Sequence, residues 1–192
     1  MMSPSSSIGA LHMGNLMRYF QETHIVPLGE FSREEFDLEN TPGRASKALE
    51  EMLSGYADNP KAVLRTFPSK GRSGRVHLEG LVFNSVCAHH LLPFHGSIDI
   101  LYVPKDQLIG LSKAQRLVSI LSRRLQLQES LTADIARIFY EGVKPEYVAV
   151  RATATHSCIV CRGVKNPQME VHTEFSCGSL MPSNLLHKMS SP

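Results

Sequence analysis

No stretch of this sequence stays apolar for anything near the ~18 residues that a membrane span requires, so no membrane partner is expected. Basic residues are missing from the first 13 positions, and a secretory leader is therefore not expected either. Charge of one sign is scarce: 20 Lys and Arg stand against 18 Asp and Glu, a net +2. That balance gives no bulk attraction for nucleic acid, and any anion site must come from local clustering. Cysteine is limited to four residues, at 87, 158, 161 and 177. A chain of 192 residues buries enough surface to fold without disulfide staples. Histidines sit beside two of those cysteines, so metal binding is the better reading, and a reducing, cytoplasmic compartment follows. There is no repeat at a solenoid period. With 42% apolar and 20% charged residues, the chain reads as one ordinary globular domain.

The densest chemistry lies in Ser85-Val-Cys-Ala-His-His-Leu-Leu-Pro-Phe94, which packs a thiol and two imidazoles into Cys87–His90. Thiolate and imidazole are preferred zinc ligands. On an extended strand Cys87 and His90 would face opposite ways, so they can meet one ion only if the chain turns. A further ligand must come from elsewhere. Thr155-His156-Ser157-Cys158 is where it appears.

Residues 1–38 carry no clean pattern and read as an arm, with a short helix possible at Leu11–Phe20. Thr41 as N-cap and Pro42 at the first helical position open a helix. Its stripe is Ala45, Ala48, Leu49, Met52 and Leu53, and Gly55 can end it. Arg44 and Lys47 flank the stripe, and alone they read as solvated cations. Residues 57–74, rich in Pro and Gly, read as loop. Strands follow at 75–86 and 96–103, an antiparallel pair around the Cys-His-His turn, with Pro104 as a stop. Ser112 and Gln115 form a capping box for a helix whose stripe is Ala114, Leu117, Val118, Leu121 and Leu125. The phase then slips to Leu127, Leu131, Ile135 and Ile138, which predicts a second helix and a break near Leu125–Gln128. At that break Gln128 and Glu129 read locally as polar surface. Lys113, at a helix start, and Arg116, one turn further on, suit either a phosphate or a solvated basic face.

From Glu146 the chain returns to strand. Val148, Val150, Ala152 and Ala154 share one face, and Arg151, Thr153 and Thr155 the other. Continued alternation puts His156 and Cys158 on one side and Cys161 opposite. A last strand is expected within 167–181 and a frayed tail over 182–192. The fold class is α+β with an antiparallel sheet, two packed helices and an N-terminal helix.

Cys87, His90 and Cys158 are thus three candidate ligands from two distant segments. Three protein ligands leave a zinc ion's fourth position open, the catalytic pattern. Such an ion lowers the pKa of its water to about 7. His89 and His156 remain as general acid–base candidates. His89 has the alternative of supporting the ligands or replacing one. Spare histidines beside an open zinc, with basic helix starts, suggest hydrolysis of a phosphorylated substrate.

In chain order the sequence carries Thr-Pro-x-Arg-x-x-Lys-Ala from Thr41, Ser54-Gly55-Tyr56, and Ser-x-Cys-x-His-His-Leu-Leu-Pro-Phe-x-Gly from Ser85. Then come Ile-Gly-Leu-Ser-Lys-x-x-Arg from Ile109, Arg-Leu-Gln-x-Gln-Glu-x-Leu-Thr from Arg124, and His-x-Cys-x-x-x-Arg-Gly-Val from His156. Together these resemble the GTP cyclohydrolase I family over roughly residues 39–165. The resemblance implies a tunnelling fold, with a catalytic domain over 39–181, assembled as stacked rings, a decamer, with sites between subunits. It implies that GTP is opened at C8 with loss of formate and rearranged to 7,8-dihydroneopterin triphosphate. Cys87, His90 and Cys158 would hold Zn2+, whose water attacks C8. His156 would protonate the imidazole ring nitrogen and His89 would assist later proton transfers. Glu129, with Gln128, would hold the guanine edge. Arg44, Lys47, Ser112, Lys113, Arg116 and Arg162 would hold the triphosphate. Two departures stand out: Ala88 lies where the family usually has Glu, and Cys161 replaces an apolar residue. Two rival readings follow: a tunnelling-fold relative acting on another purine or pterin, and a non-catalytic zinc-stabilised GTP-binding scaffold.

Overall fold

The computed structural model describes residues 13–16, 18, 19, 37, 39–71 and 74–179; most of the expected arm and the whole expected tail lie outside them. Residues 13–16, 18 and 19 are helical. The chain divides into two compact units, residues 1–52 and 53–192.

In the first unit, helix α1 spans Thr41–Met52. The Asn40 carbonyl accepts the Arg44 N–H at its start. The expected stripe is half-buried at best, and the buried residue is Ser46, which donates to Glu50 at 3.2 Å.

The second unit is built on a five-stranded sheet in the order β5-β2-β3-β6-β7, with β1 and β4 as a separate antiparallel ribbon. These strands are β1 Thr66–Pro68, β2 Val76–Cys87, β3 Pro93–Val103, β4 Gln107–Ile109, β5 Leu125–Gln126, β6 Tyr147–His156 and β7 Val171–Gly178. The sheet is antiparallel except where β5 pairs in parallel with the end of β2. Helices α2 (Leu111–Ser122) and α3 (Gln128–Val143) pack on one of its faces.

The core follows from strand alternation meeting helical stripes. Ile98, Ile100 and Tyr102 of β3 and Val148, Val150, Ala152 and Ala154 of β6 point at the helices and are at most 1% exposed. Ala114, Leu117, Val118 and Leu121 of α2, and Leu131 and Ile135 of α3, close on them as predicted. Each large apolar side chain buried there contributes about 1.5–3 kcal/mol. On the far face, Leu101, Tyr147 and Ala149 form a small second cluster.

Three local expectations are corrected. The stretch 57–74 is not all loop: Pro60–Val63 is a 3-10 turn and Thr66–Pro68 pairs with Gln107–Ile109. The Ser112–Gln115 capping box is not made. Gly110 is the N-cap with no side-chain bond, and the Gln115 amide instead donates to Val82 O at 2.9 Å, tying α2 to β2. The helix break runs over 123–127 and holds the two-residue β5. Between Leu78 and Leu81, β2 slips register against β3. Gly80 takes φ +71° there, which glycine alone adopts at little cost, and its N–H donates to Asp99 Oδ1 at 2.9 Å.

Gly96 shows how closely β3 and β6 approach. A Cβ on it would lie 1.9 Å from Thr153 O. Gly96→Ala must part the two strands two residues from the Phe94–His156 pair. The expected cost is about 1–3 kcal/mol or more, read as a lower midpoint in urea with an unchanged slope.

Candidate active site

Cys87 closes β2 and is 6% exposed. The turn that two ligands at i and i+3 demand is present. Leu91 N–H donates to Cys87 O at 2.9 Å and Cys87 N–H to Leu92 O at 2.9 Å, which folds the segment back on itself. Closing it puts Leu91 at φ +55°, a left-handed conformation costing about 1–2 kcal/mol outside glycine. Ala88 N–H donates to Gln126 O at 3.1 Å, extending the β2–β5 pairing into the turn.

Cys158 arrives by a different route from the one alternation implied. Strand β6 stops at His156, and a single helical turn, α4 (Ser157–Val160), carries the sulfur to the site. The ligand atoms of Cys87, His90 and Cys158 all lie within 4.8 Å of one another. A tetrahedral zinc with bonds of ~2.0–2.3 Å sets its ligand atoms roughly 3.5–3.8 Å apart, so the triangle needs only a small closure to hold one. The electrostatics agree. Burial raises the Cys158 thiol above its ordinary pKa, and the neighbouring Cys87 raises it further by charge and hydrogen bond. Two thiolates this close disfavour one another until a cation sits between them. Cys161 is exposed and outside the group, although the early end of β6 voids the alternation argument that had set it apart.

The triangle opens into a cavity of about 210 Å³ whose wall includes His89, Gln126, Leu127, Gln128, Glu129 and His156. His156 is held on both sides. Its ring stacks on Phe94 with centroids 4.6 Å apart and planes at 6°. Its Nε2 lies 2.8 Å from Gln128 Oε1. The Gln128 amide nitrogen donates to Ala152 O at 3.1 Å and Val171 O at 2.8 Å. Both amide hydrogens are thereby used on carbonyls, so the oxygen must face His156, and His156 must carry its proton on Nε2. Its Nδ1 is left with the lone pair. Burial lowers the pKa of His156, while the charge of Glu129 raises it by less. The neutral ring is therefore favoured.

Gln128 is 2% exposed, with its amide nitrogen on two carbonyls and its oxygen on His156. Glu129 is exposed on the first turn of α3, whose N-cap makes no side-chain bond. His89 is exposed, its ring 6.2 Å from that of His90. Arg162 is exposed after α4, and its charge favours the Cys158 thiolate. Ser112 and Lys113 stand on the first turn of α2 and Arg116 on the next, and none of the three lines the cavity. Arg44 and Lys47 lie on α1 in the first unit, where Arg44 pairs with Asp37. Phe94 and Gln126 went unassigned in the sequence, although both fall inside quoted motifs.

The family model for GTP cyclohydrolase I matches residues 21–189. The chain belongs to the GTP cyclohydrolase I family. Among the relatives of this family, GTP cyclohydrolase 1 of Rickettsia typhi is 39% identical over 143 residues, covering 73% of this chain and 75% of that protein. GTP cyclohydrolase 1 of Wolinella succinogenes is 41% identical over 132 residues, covering 68% and 71%. A crystal structure of an archaeosine synthase, QueF-like, in the apo form is similar at 20% identity and TM-score 0.42, covering 57% of this chain and 96% of that one. The Cys-His-Cys triangle of this GTP cyclohydrolase I family member can hold a metal ion, and no helix among the described residues is long and apolar enough to cross a membrane.

Proposed function

We propose that the chain opens GTP at C8, releases formate and rearranges the remainder to 7,8-dihydroneopterin triphosphate, with Zn2+ on Cys87, His90 and Cys158. The observation that carries this reading is the metal-competent triangle sharing one cavity with an oriented His156 and with Glu129. Bound there, zinc supplies Lewis acidity at an open coordination position. The chain supplies the rest. His156 keeps its Nε2 proton on Gln128; once its Nδ1 has taken up a second proton from solvent, that proton passes to the purine's imidazole nitrogen as the ring opens, and the ring returns to its neutral form. His89, exposed and in the wall of the same cavity, serves the later proton transfers. Glu129 accepts from guanine N1–H and the 2-amino group, donors that adenine lacks. Gln128 positions His156 rather than the base.

Arg44, Lys47, Ser112, Lys113, Arg116 and Arg162 are assigned to the triphosphate. A cavity of about 210 Å³ is small for a nucleoside triphosphate, given that pockets for drug-sized ligands run ~300–1,000 Å³. Ser112, Lys113, Arg116 and Arg162, the triphosphate residues of the second unit, all lie outside its wall. Both facts support a site completed by another copy of the chain, in a ring assembly of the decameric kind.

The test is direct. Metal-replete protein is incubated with GTP, and formate and the pterin product are measured. Formate with dihydroneopterin triphosphate is expected. Bound GTP without formate would leave a scaffold, and formate with a different product would leave a relative of altered chemistry. Glu129→Gln removes the charge from the base contact. It is expected to weaken GTP by ~1–3 kcal/mol, seen as a raised KM; an unchanged KM and rate would remove Glu129 from that role.

A further inference from the structure

A purine is rigid, with N1 and the 2-amino group at one end and C8 at the other. An enzyme that grips one end and attacks the other must hold those two groups of side chains at a fixed spacing. In this chain the short strand β5 links them. Its Leu125 and Gln126 pair with Val86 and Cys87, the end of the ligand-bearing strand. Two residues further on, Gln128 and Glu129 open α3.

A strand of two residues has little ladder to hold it, and the structure supports it from outside. The Tyr56 hydroxyl donates to Leu125 O at 3.2 Å and accepts Leu125 N–H at 3.2 Å, bonding both backbone groups of one residue as a neighbouring strand would. Arg124 donates twice to Gly55 O, at 3.2 and 3.0 Å, and its guanidinium lies 5.6 Å from the Tyr56 ring centroid. Gly55 N–H returns a bond to Arg123 O at 3.0 Å. The turn sits so close that a Cβ on Gly55 would be 2.1 Å from Ile120 O, which explains the glycine better than a helix stop does. Tyr56 is 60% exposed, so burial of its ring does not account for it. Its distinctive contribution is the paired hydroxyl bonds.

We propose that Tyr56, seated by Gly55 and Arg124, is a positioning residue for base recognition: it fixes β5 and thereby the spacing between Glu129 and the Cys87–His90–Cys158 triangle. This rests on the reading of Glu129 as the guanine acceptor.

The experiment uses full-length, zinc-loaded protein and compares GTP with ITP, which lacks the 2-amino group. Tyr56→Phe keeps the ring and the cation–π contact and removes only the hydroxyl. Zinc content is expected to stay at the wild-type level. For GTP, kcat/KM is expected to fall about tenfold, the scale of a lost hydrogen bond or two. For ITP it falls less, so discrimination between the two narrows. In a Glu129→Gln background Tyr56→Phe adds little to that narrowing, because the two residues act on one contact. Equal losses for GTP and ITP, or a lowered Tm with unchanged discrimination, would make Tyr56 merely structural and overturn the inference. If Glu129→Gln itself leaves discrimination intact, the base-edge reading fails first and takes this inference with it. Arg124→Met supplies a second variant, expected to narrow discrimination in the same direction; wild-type discrimination in it would also count against the proposal.

Discussion

Cys158→Ser is expected to purify without zinc and to release no formate from GTP. The sulfur is one of three atoms in the triangle, and a serine hydroxyl does not deprotonate readily enough to replace a thiolate. Cys87 and His90 remain on their turn, but two ligands from one turn do not retain the ion against dilution. Turnover should drop at least ~10³-fold, since a Lewis-acid contribution of several kcal/mol disappears. Folding is not at risk in the same degree: Cys158 is only half-buried, on a four-residue turn at the margin of the core. Metal analysis and thermal melting of the metal-free proteins separate the two effects. The melts should coincide while the metal contents differ. Cys161→Ser is the control, expected to keep both metal and activity, because its side chain is exposed and outside the triangle. Full metal content in Cys158→Ser would overturn the ligand assignment.

Gln128→Met is expected to lower kcat about 10²-fold with KM close to wild type. That is the scale on which misplaced general acid–base groups lose rate. Methionine matches the volume but offers His156 no acceptor, so the imidazole loses the bond that fixes its proton on Nε2 and its lone pair on Nδ1. Ala152 O and Val171 O lose their donor as well. Leaving those groups buried costs about 1–3 kcal/mol of stability, so rates are to be compared well below the melting transition. The split between kcat and KM is the deciding measurement. A raised KM with kcat preserved would return Gln128 to the guanine edge and take away its hold on His156.

Much of the fold was legible because long elements repeat their signal. Ala114, Leu117, Val118 and Leu121 mark a helical face several times over, and the slip to Leu131 and Ile135 marks the break between helices. The Cys87–His90 turn was legible for a different reason: ligand chemistry at that spacing excludes a straight strand. What escaped was short or tertiary. A four-residue helix has no periodicity to read, so Cys158 was given the right destination by the wrong path. Two residues of β5 are too few for alternation to register. Gln128 looked like surface because it is polar and sits at a helix junction, yet its partners are carbonyls of β6 and β7, 24 and 43 residues away. No local pattern encodes such a bond. Gly55 likewise read as a helix stop, when its constraint is the Ile120 carbonyl of another element.

A sliding of β2 by one place would turn Cys87 away from His90 and Cys158, since neighbouring side chains on a strand face opposite ways. The Asp99 carboxylate, by catching the Gly80 amide, pins that alignment seven residues upstream of the thiol. Lesions at Gly80 or Asp99 would then present in a screen as metal-deficient alleles, mapping far from Cys87, His90 and Cys158.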